Sequence, residues 1–144
     1  MTDIASHRGG ALLWPENSRI AFENTTKLAV EQVEFDVHPT RDGKLVVIHD
    51  DTLDRTTDGR GPVAVQDWST LSKLVLKGTG GQRMLLLDEV IEIFRPTPIR
   101  KTSGTRRCGG MCRTSPDTAR SVLRRSIRAP RRRGRRIPRP RPPR

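Results

Sequence analysis

Apolar and polar positions in the first part of the chain follow the period of β-strands. Residues 32–37 alternate one by one, with Val33 and Phe35 on the apolar side, which predicts a half-buried strand. A continuous apolar run at 45–48 predicts a second strand that is buried on both faces, as in a parallel sheet. A short strand is also expected at 3–6, so three strands are visible in all.

Helical spacing follows these strands along the chain. A helix is predicted over 19–30, with Asn17 or Ser18 as its N-cap, and a shorter one begins near Asp67. Apolar residues recur at every fourth position of 85–94, which predicts another helix. Strands alternating with helices indicate an α/β fold with a parallel sheet. A closed (β/α)8 barrel has eight strands and takes about 250 residues, so the three strands visible here would supply about its first third.

Charge divides the chain into two unlike parts. Residues 1–94 contain 10 basic and 15 acidic side chains, whereas residues 95–144 contain 18 basic ones and a single acid, Asp117. Eight of the 11 prolines also fall in the second part. We therefore expect a partial domain over 1–94 and, because high charge with little apolar content opposes folding, a disordered Arg/Pro-rich tail over 95–144.

Two origins of the basic tail remain open. Arg, Pro, Gly and Ala have GC-rich codons, so an out-of-frame reading of GC-rich DNA would produce such a composition. Alternatively, the chain is a non-enzymatic basic protein whose 18 basic tail residues contact nucleic-acid phosphates. The tail lacks interleaved aromatic residues for base stacking, so any such binding would be non-specific.

Several other classes of protein are not indicated. No apolar run approaches 18 residues, which argues against a membrane span. The N-terminus lacks the basic start and apolar stretch of a secretion signal, so a cytoplasmic location is expected. Cys108 and Cys112 have no second pair and no nearby histidine, which argues against a zinc site. The glycines at 78–81 do not follow a strand, as a dinucleotide-binding loop requires.

Glu34 and Asp36 are the most distinctive local feature. At i and i+2 of a strand, their side chains project from the same face, about 6.6 Å apart along the strand. Such a pair is costly unless a cation offsets the repulsion, and Mg²⁺ or Ca²⁺ prefers oxygen ligands of this kind. The alternative is an ordinary solvated strand face. His38 shares their parity and is either a third ligand or, as we prefer, a histidine at the rim.

His7 and His49 each end a predicted strand. In α/β sheets and barrels, reactive groups gather at the carboxyl ends of strands, and two imidazoles there can act as acid and base. Arg8 can hold a phosphate through bidentate hydrogen bonds. The alternatives are ordinary loop histidines and a surface arginine.

Together, these segments resemble the glycerophosphodiester phosphodiesterase family over roughly residues 3–94. Order and spacing both agree in the matching segments, which are His7-Arg8-Gly9, Pro15-Glu16-Asn17-Ser18, Glu34-Phe35-Asp36-Val37, Thr40-Arg41-Asp42-Gly43, Val46-Val47-Ile48-His49-Asp50 and Leu53-Asp54-Arg55-Thr56-Thr57 with Gly59 and Gly61. Leu87-Asp88-Glu89-Val90 continues the match more weakly. A pattern of many parts is far more specific than any one of them.

The resemblance implies a TIM-barrel fold, a small-molecule glycerophosphodiester substrate and hydrolysis to an alcohol and glycerol 3-phosphate with a divalent metal, Mg²⁺ or Ca²⁺. Assigned by position, the resemblance makes His7 and His49 the catalytic acid/base pair and Arg8 the phosphate-binding arginine. It makes Glu34 and Asp36 two metal ligands, and Glu16 and Asn17 residues that line the site.

One part of the family pattern is missing from this sequence. The family has a third metal-binding glutamate, followed two residues later by a lysine, on a strand soon after the helix at 85–94. Here that place is occupied by residues 95–101, and no glutamate occurs after Glu92. We therefore expect impaired activity and a fragment of a barrel with an open sheet edge.

Overall fold

One long strand organises the sheet in the computed structural model, which describes residues 3–104. This strand, β2, spans Gln32–Pro39 and includes the residues that alternate in sequence. Its first part pairs in parallel with β1 (Ala5–Ser6) on one side and with β5 (Arg100–Gly104) on the other. The parallel order β1-β2-β5, with helices in the connections, is consistent with part of a (β/α)8 barrel.

The last part of β2 has different neighbours. It pairs in antiparallel fashion with β3 (Leu45–Val47), which in turn pairs with the short β4 (Leu85–Leu86). The sheet is therefore mixed, and the parallel pairing predicted for the apolar run at 45–48 is wrong. The tight turn at Gly43, where φ is 78°, returns the chain directly and makes a hairpin of β2 and β3.

The apolar run is nevertheless buried on both faces, as predicted. Val47 belongs to the main core, which lies between the sheet and the helices. Val46 and Ile48 belong to a second core beneath the loops that follow β3. A strand between two cores has the same apolar signature as a strand in a parallel sheet, so hydropathy alone does not distinguish them.

The helices are shorter than their predicted lengths. Helix α1 spans Arg19–Thr25 and begins at Ser18, whose hydroxyl accepts a hydrogen bond from the Ala21 amide at 3.2 Å. It ends five residues before the predicted end at Val30. Its last residue, Thr25, is buried, and the Thr25 hydroxyl donates to the Gly9 carbonyl at 2.9 Å. Helix α2 spans Trp68–Leu71, and α3 spans Leu87–Phe94.

The main core joins α1 and α3 to the sheet. Phe22 of α1 makes edge-to-face contacts with Phe35 of β2 and Phe94 of α3, at centroid distances of 6.0 and 5.9 Å. All three rings are fully buried. This aromatic group joins both helices to the sheet, and Phe22 also lies against Gly9 in the turn after β1, where the first candidate site residues lie.

Strand β5 lies beyond the boundary that composition placed at residue 94. Its residues show no sequence period, so no element was predicted there, yet five residues pair with β2. The remainder of the Arg/Pro-rich tail, with its expected disorder and its proposed nucleic-acid contacts, lies outside the described residues. Within residues 3–104, no helix is long and apolar enough to cross a membrane.

Candidate active site

His7 and Arg8 follow β1 directly, in a tight 3-10 turn that spans His7–Gly9. Arg8 adopts a left-handed conformation with φ of 48°, which is uncommon for a side chain of this size and is typical of functional turns. Gly9, with φ of 74°, lies against the Phe22 ring, where an added Cβ would come within 2.9 Å. Only glycine allows this close approach without strain.

The Arg8 guanidinium lies among carboxylates. Its Nη1 donates to the two carboxylate oxygens of Glu16 at 3.3 and 3.2 Å. Its Nε is 3.5 Å from Oδ2 of Asp36, an ion pair without a hydrogen bond. The Arg8 backbone amide donates to Oε2 of Glu34 at 3.1 Å, and the same oxygen is 3.9 Å from Nε2 of His7. The structure thus brings His7, Arg8, Glu34 and Asp36 together.

Glu34 and Asp36 project from one face of β2, as their spacing predicts. Asp36 is 4% exposed, and its Oδ2 has no hydrogen-bond partner among the described residues. Neighbouring β5 places Thr102 beside Glu34 and Gly104 beside Asp36. The adjacent strand therefore adds no carboxylate to the pair.

His49 follows β3 and lies in a more enclosed place than His7. Its side chain is 18% exposed, compared with 67% for His7. Its Nδ1 is 2.6 Å from Oδ1 of Asp50, while its Nε2 is buried without a hydrogen-bond partner in residues 3–104. The ring is thus held at one nitrogen and open at the other.

His38 does not lie at the rim, and the prediction that it would is wrong. It is 3% exposed, and its Nε2 is 3.0 Å from the His49 carbonyl oxygen. Because a carbonyl only accepts hydrogen bonds, Nε2 must donate, which ties β2 to the start of the next loop. His38 therefore supports the backbone of His49.

Arg55 joins the two ends of the site and was missed in the sequence as a functional residue. It donates to the Asp50 carboxylate at 2.6 and 2.9 Å and to the Glu16 carboxylate at 3.1 and 2.7 Å. Arg55 lies within a segment that matches the family motif, so its position was visible in the sequence. Because loop residues follow no regular period, the sequence does not show which of their side chains meet. A series of side-chain contacts thus runs through His7, Glu34, Arg8, Glu16, Arg55, Asp50 and His49, and Asp36 joins it through its ion pair with Arg8. Among the predicted site residues, only the side chain of Asn17 takes no part.

These ion pairs fix the charge of the carboxyl groups. Hydrogen bonds from Arg55 hold the pKa of Asp50 far below its usual value despite the opposing effect of burial. Burial alone would raise the pKa of Glu16, but Arg55 and Arg8 outweigh it and lower that pKa. The same contacts, first with Asp50 and then with Glu16, raise the pKa of Arg55. All three groups are therefore charged at neutral pH.

Asn17 lies in the loop that carries Glu16. It is 3% exposed and has a positive φ of 54°, and its backbone amide donates to the Arg8 carbonyl at 3.0 Å. Neither heteroatom of its carboxamide has a hydrogen-bond partner among the described residues. A strained, buried amide with open hydrogen-bonding capacity is costly for stability and is suited to a ligand.

The residues present fit a divalent cation. Within residues 3–104, no three His, Cys, Asp or Glu side chains form a metal-binding group, so Glu34 and Asp36 remain a pair. The unpartnered Oδ2 of Asp36 offers an oxygen ligand, and Mg²⁺ is often held by one or two carboxylates with water completing its shell. Two guanidinium groups face four carboxylates here, which leaves an excess of negative charge for a cation to offset.

Known proteins resemble this chain in sequence over most of the described residues. The model of the glycerophosphoryl diester phosphodiesterase family matches residues 7–102. A glycerophosphodiester phosphodiesterase of Bacillus altitudinis is 40% identical over 98 residues, which cover 65% of this chain and 40% of that protein. One of Caldanaerobacter subterraneus is 40% identical over 101 residues, with the same coverage. The chain thus spans about 40% of the length of these relatives.

Solved structures are similar in fold. A glycerophosphodiester phosphodiesterase from Agrobacterium tumefaciens superposes with a TM-score of 0.73 at 32% identity, over 88% of this chain and 54% of that one. An Oleispira antarctica phosphodiesterase, solved in complex with the product sn-glycerol-3-phosphate, superposes with a TM-score of 0.70 at 28% identity. That match covers 75% of this chain and 46% of the other.

Proposed function

Because this chain belongs to the glycerophosphoryl diester phosphodiesterase family, we propose that it hydrolyses glycerophosphodiesters to an alcohol and glycerol 3-phosphate. One observation carries the proposal. Seven buried side-chain nitrogen and oxygen atoms lack a hydrogen-bond partner in residues 3–104, and five of them belong to Arg8, Asn17, Asp36 and His49. Buried polar groups are normally paired, so a cluster of open ones marks a place for a polar ligand.

The proposed roles follow from the chemistry of a phosphodiester, which is an anion and repels nucleophiles. Arg8 would bind the phosphoryl oxygens, because its Nε is open and its guanidinium is already held by Glu16. His7 and His49 would share the proton transfers, one taking a proton from the nucleophile and the other giving one to the leaving alkoxide. Asn17 and Glu16 would line the pocket.

Glu34 and Asp36 would hold the divalent cation, Mg²⁺ or Ca²⁺. When bound, such an ion neutralises negative charge on phosphoryl oxygens. The excess of carboxylates makes this contribution important, since an anionic substrate would otherwise meet net negative charge. Two carboxylates bind a divalent cation less tightly than three, because affinity rises with the number and charge of oxygen ligands.

We expect slow turnover for this reason. The assay is release of glycerol 3-phosphate from glycerophosphocholine by the purified chain with Mg²⁺ or Ca²⁺. The expected rate is below about 1 per second, the low end of the ordinary enzyme range. Release should be lost in His49→Ala and retained in Arg60→Ala, an exposed control whose guanidinium takes part in no ion pair of residues 3–104. Equal release of glycerol 3-phosphate by the unaltered chain and by His49→Ala would contradict the proposal.

A substitution on β5 tests the metal assignment separately. Thr102 lies beside Glu34, so Thr102→Glu would add a third carboxylate to the pair. We expect Ca²⁺ or Mg²⁺, measured by titration calorimetry, to bind about tenfold more tightly. Thr70→Glu, on the exposed surface of α2, is the matched control. Equal affinity in both variants would place the cation elsewhere.

Two further expectations remain predictions. A cytoplasmic location is still expected, and localisation of a tagged chain would test it. Non-specific binding of nucleic acid by the basic tail would appear as salt-dependent retention of duplex DNA, and removal of residues 105–144 should abolish it.

A further inference from the structure

The Asp50 carboxylate contacts two side chains, those of His49 and Arg55. Its Oδ1 is 2.6 Å from Nδ1 of His49. Arg55 donates from Nε to Oδ2 at 2.6 Å and from Nη2 to Oδ1 at 2.9 Å. A bidentate guanidinium contact of this kind fixes the plane of a carboxylate as well as its position.

Arg55 is itself held on its far side. It donates to Glu16 at 3.1 and 2.7 Å, and Glu16 also accepts from Arg8 at 3.2 Å. The loop after β3 is thereby tied to the loop after β1. Asp50 cannot turn away from His49 without breaking its paired contact with Arg55.

This arrangement selects one tautomer of the His49 ring. An ionised carboxylate only accepts hydrogen bonds, so Nδ1 of His49 must carry a proton. In the neutral ring, Nε2 then carries a lone pair. That nitrogen is the buried one without a hydrogen-bond partner in the described part of the chain.

We propose that Asp50 and Arg55 are positioning residues that hold His49 with its Nδ1 protonated and its Nε2 presented for proton transfer. The inference rests on the proposed function only in assigning that transfer to His49. Neither residue touches the reacting atoms, and Arg55 acts through Asp50. Glu16 completes the arrangement by orienting Arg55 and Arg8 with the same carboxylate.

Nuclear magnetic resonance of the imidazole nitrogens in the full chain tests the proposal without requiring turnover. In the unaltered protein, above the titration of the ring, His49 should show a protonated Nδ1 and an unprotonated Nε2. Asp50→Ala removes the acceptor, so both nitrogens should move towards the values of a ring that exchanges between tautomers. Arg55→Lys keeps the charge but loses the paired contact, so a smaller shift in the same direction is expected.

Matched controls separate positioning from general effects on the loop. Asp51→Ala removes the exposed neighbouring carboxylate, and Arg60→Ala removes a nearby exposed guanidinium; neither should change the His49 nitrogen shifts. If Asp50→Ala does not fold, as judged by the methyl signals of the core, Arg55→Lys decides. The proposal would be overturned if the His49 tautomer were unchanged in folded Asp50→Ala, or in Arg55→Lys where that variant decides. It would also be overturned if the two control variants shifted the His49 nitrogens equally. Loss of the tautomer in Asp50→Ala, together with no turnover by the unaltered chain, would instead retain the positioning and refute the function.

Discussion

The two strand ends that carry the histidines are built in different ways. At the end of β1, the backbone is fixed by the core, with Gly9 against Phe22, while the His7 ring is 67% exposed and has one charged neighbour at 3.9 Å. At the end of β3, the His49 ring is held by a hydrogen bond to Asp50, which is itself fixed by an ion pair with Arg55. Packing therefore positions the main chain at one end, and charge positions a side chain at the other.

This difference predicts that substitutions at the two ends change the free energy of unfolding by different amounts and with a different dependence on pH. A packing defect acts through apolar contacts that do not titrate. The loss of an ion pair matters only while its carboxylates are charged.

The largest effect is expected from Phe22→Ala. The ring is fully buried between Phe35 and Phe94, so its removal leaves a cavity in the main core. We expect a loss of about 3–5 kcal/mol in the free energy of unfolding. Urea denaturation at pH 5 and pH 8 should give the same loss, and a marked difference between the two would contradict a purely apolar role.

A smaller effect is expected from Gly9→Ala. The new methyl group would come within 2.9 Å of the Phe22 ring at a φ of 74°. Overpacking and backbone strain together should cost about 2–4 kcal/mol. Gly43→Ala is the control, because its φ is similar at 78° but nothing lies within 4 Å of the added carbon. Its cost should be about 1–2 kcal/mol, and equal losses would show that the Phe22 contact adds nothing.

The smallest effect is expected from Arg55→Ala, because this side chain is 48% exposed and its ion pairs are partly screened. A loss of about 1 kcal/mol in unfolding free energy is expected at neutral pH. The folded-state pKa values of Asp50 and Glu16 lie below their ordinary values of 3.8 and 4.5. The contribution is thus present above those values and disappears as the pH falls through the folded-state pKa values. A loss that is constant from pH 7 to pH 2 would contradict this account.

The sequence was informative where local geometry decides. A two-residue period places Glu34 and Asp36 on one face of β2, and the strand ends place His7 and His49. It was less informative where distant segments meet, as when Arg55 reaches Glu16 across 39 positions. The family motifs predicted a set of site residues, and the fold shows which of them touch.

Strand β5 shows another limit of sequence patterns. Its register places Lys101 beside Val33 and Ser103 beside Phe35, on the apolar face of β2. Burial lowers the pKa of Lys101, and the Ser103 hydroxyl has no hydrogen-bond partner among the described residues. A strand with polar groups on its core face lacks the alternation that hydropathy detects, so composition assigned it to the tail.

The binding of glycerol 3-phosphate tests most directly the central claim that both strand ends serve one phosphate site. Titration of the full chain with this compound in the presence of Mg²⁺, followed by NMR, should perturb the His7 and His49 rings together. Arg8→Ala should weaken binding by at least about tenfold, since one charge-assisted contact contributes about 1.5–3 kcal/mol, while Arg60→Ala should leave it unchanged. Perturbation of only one histidine, or equal binding by Arg8→Ala and the unaltered chain, would contradict the account.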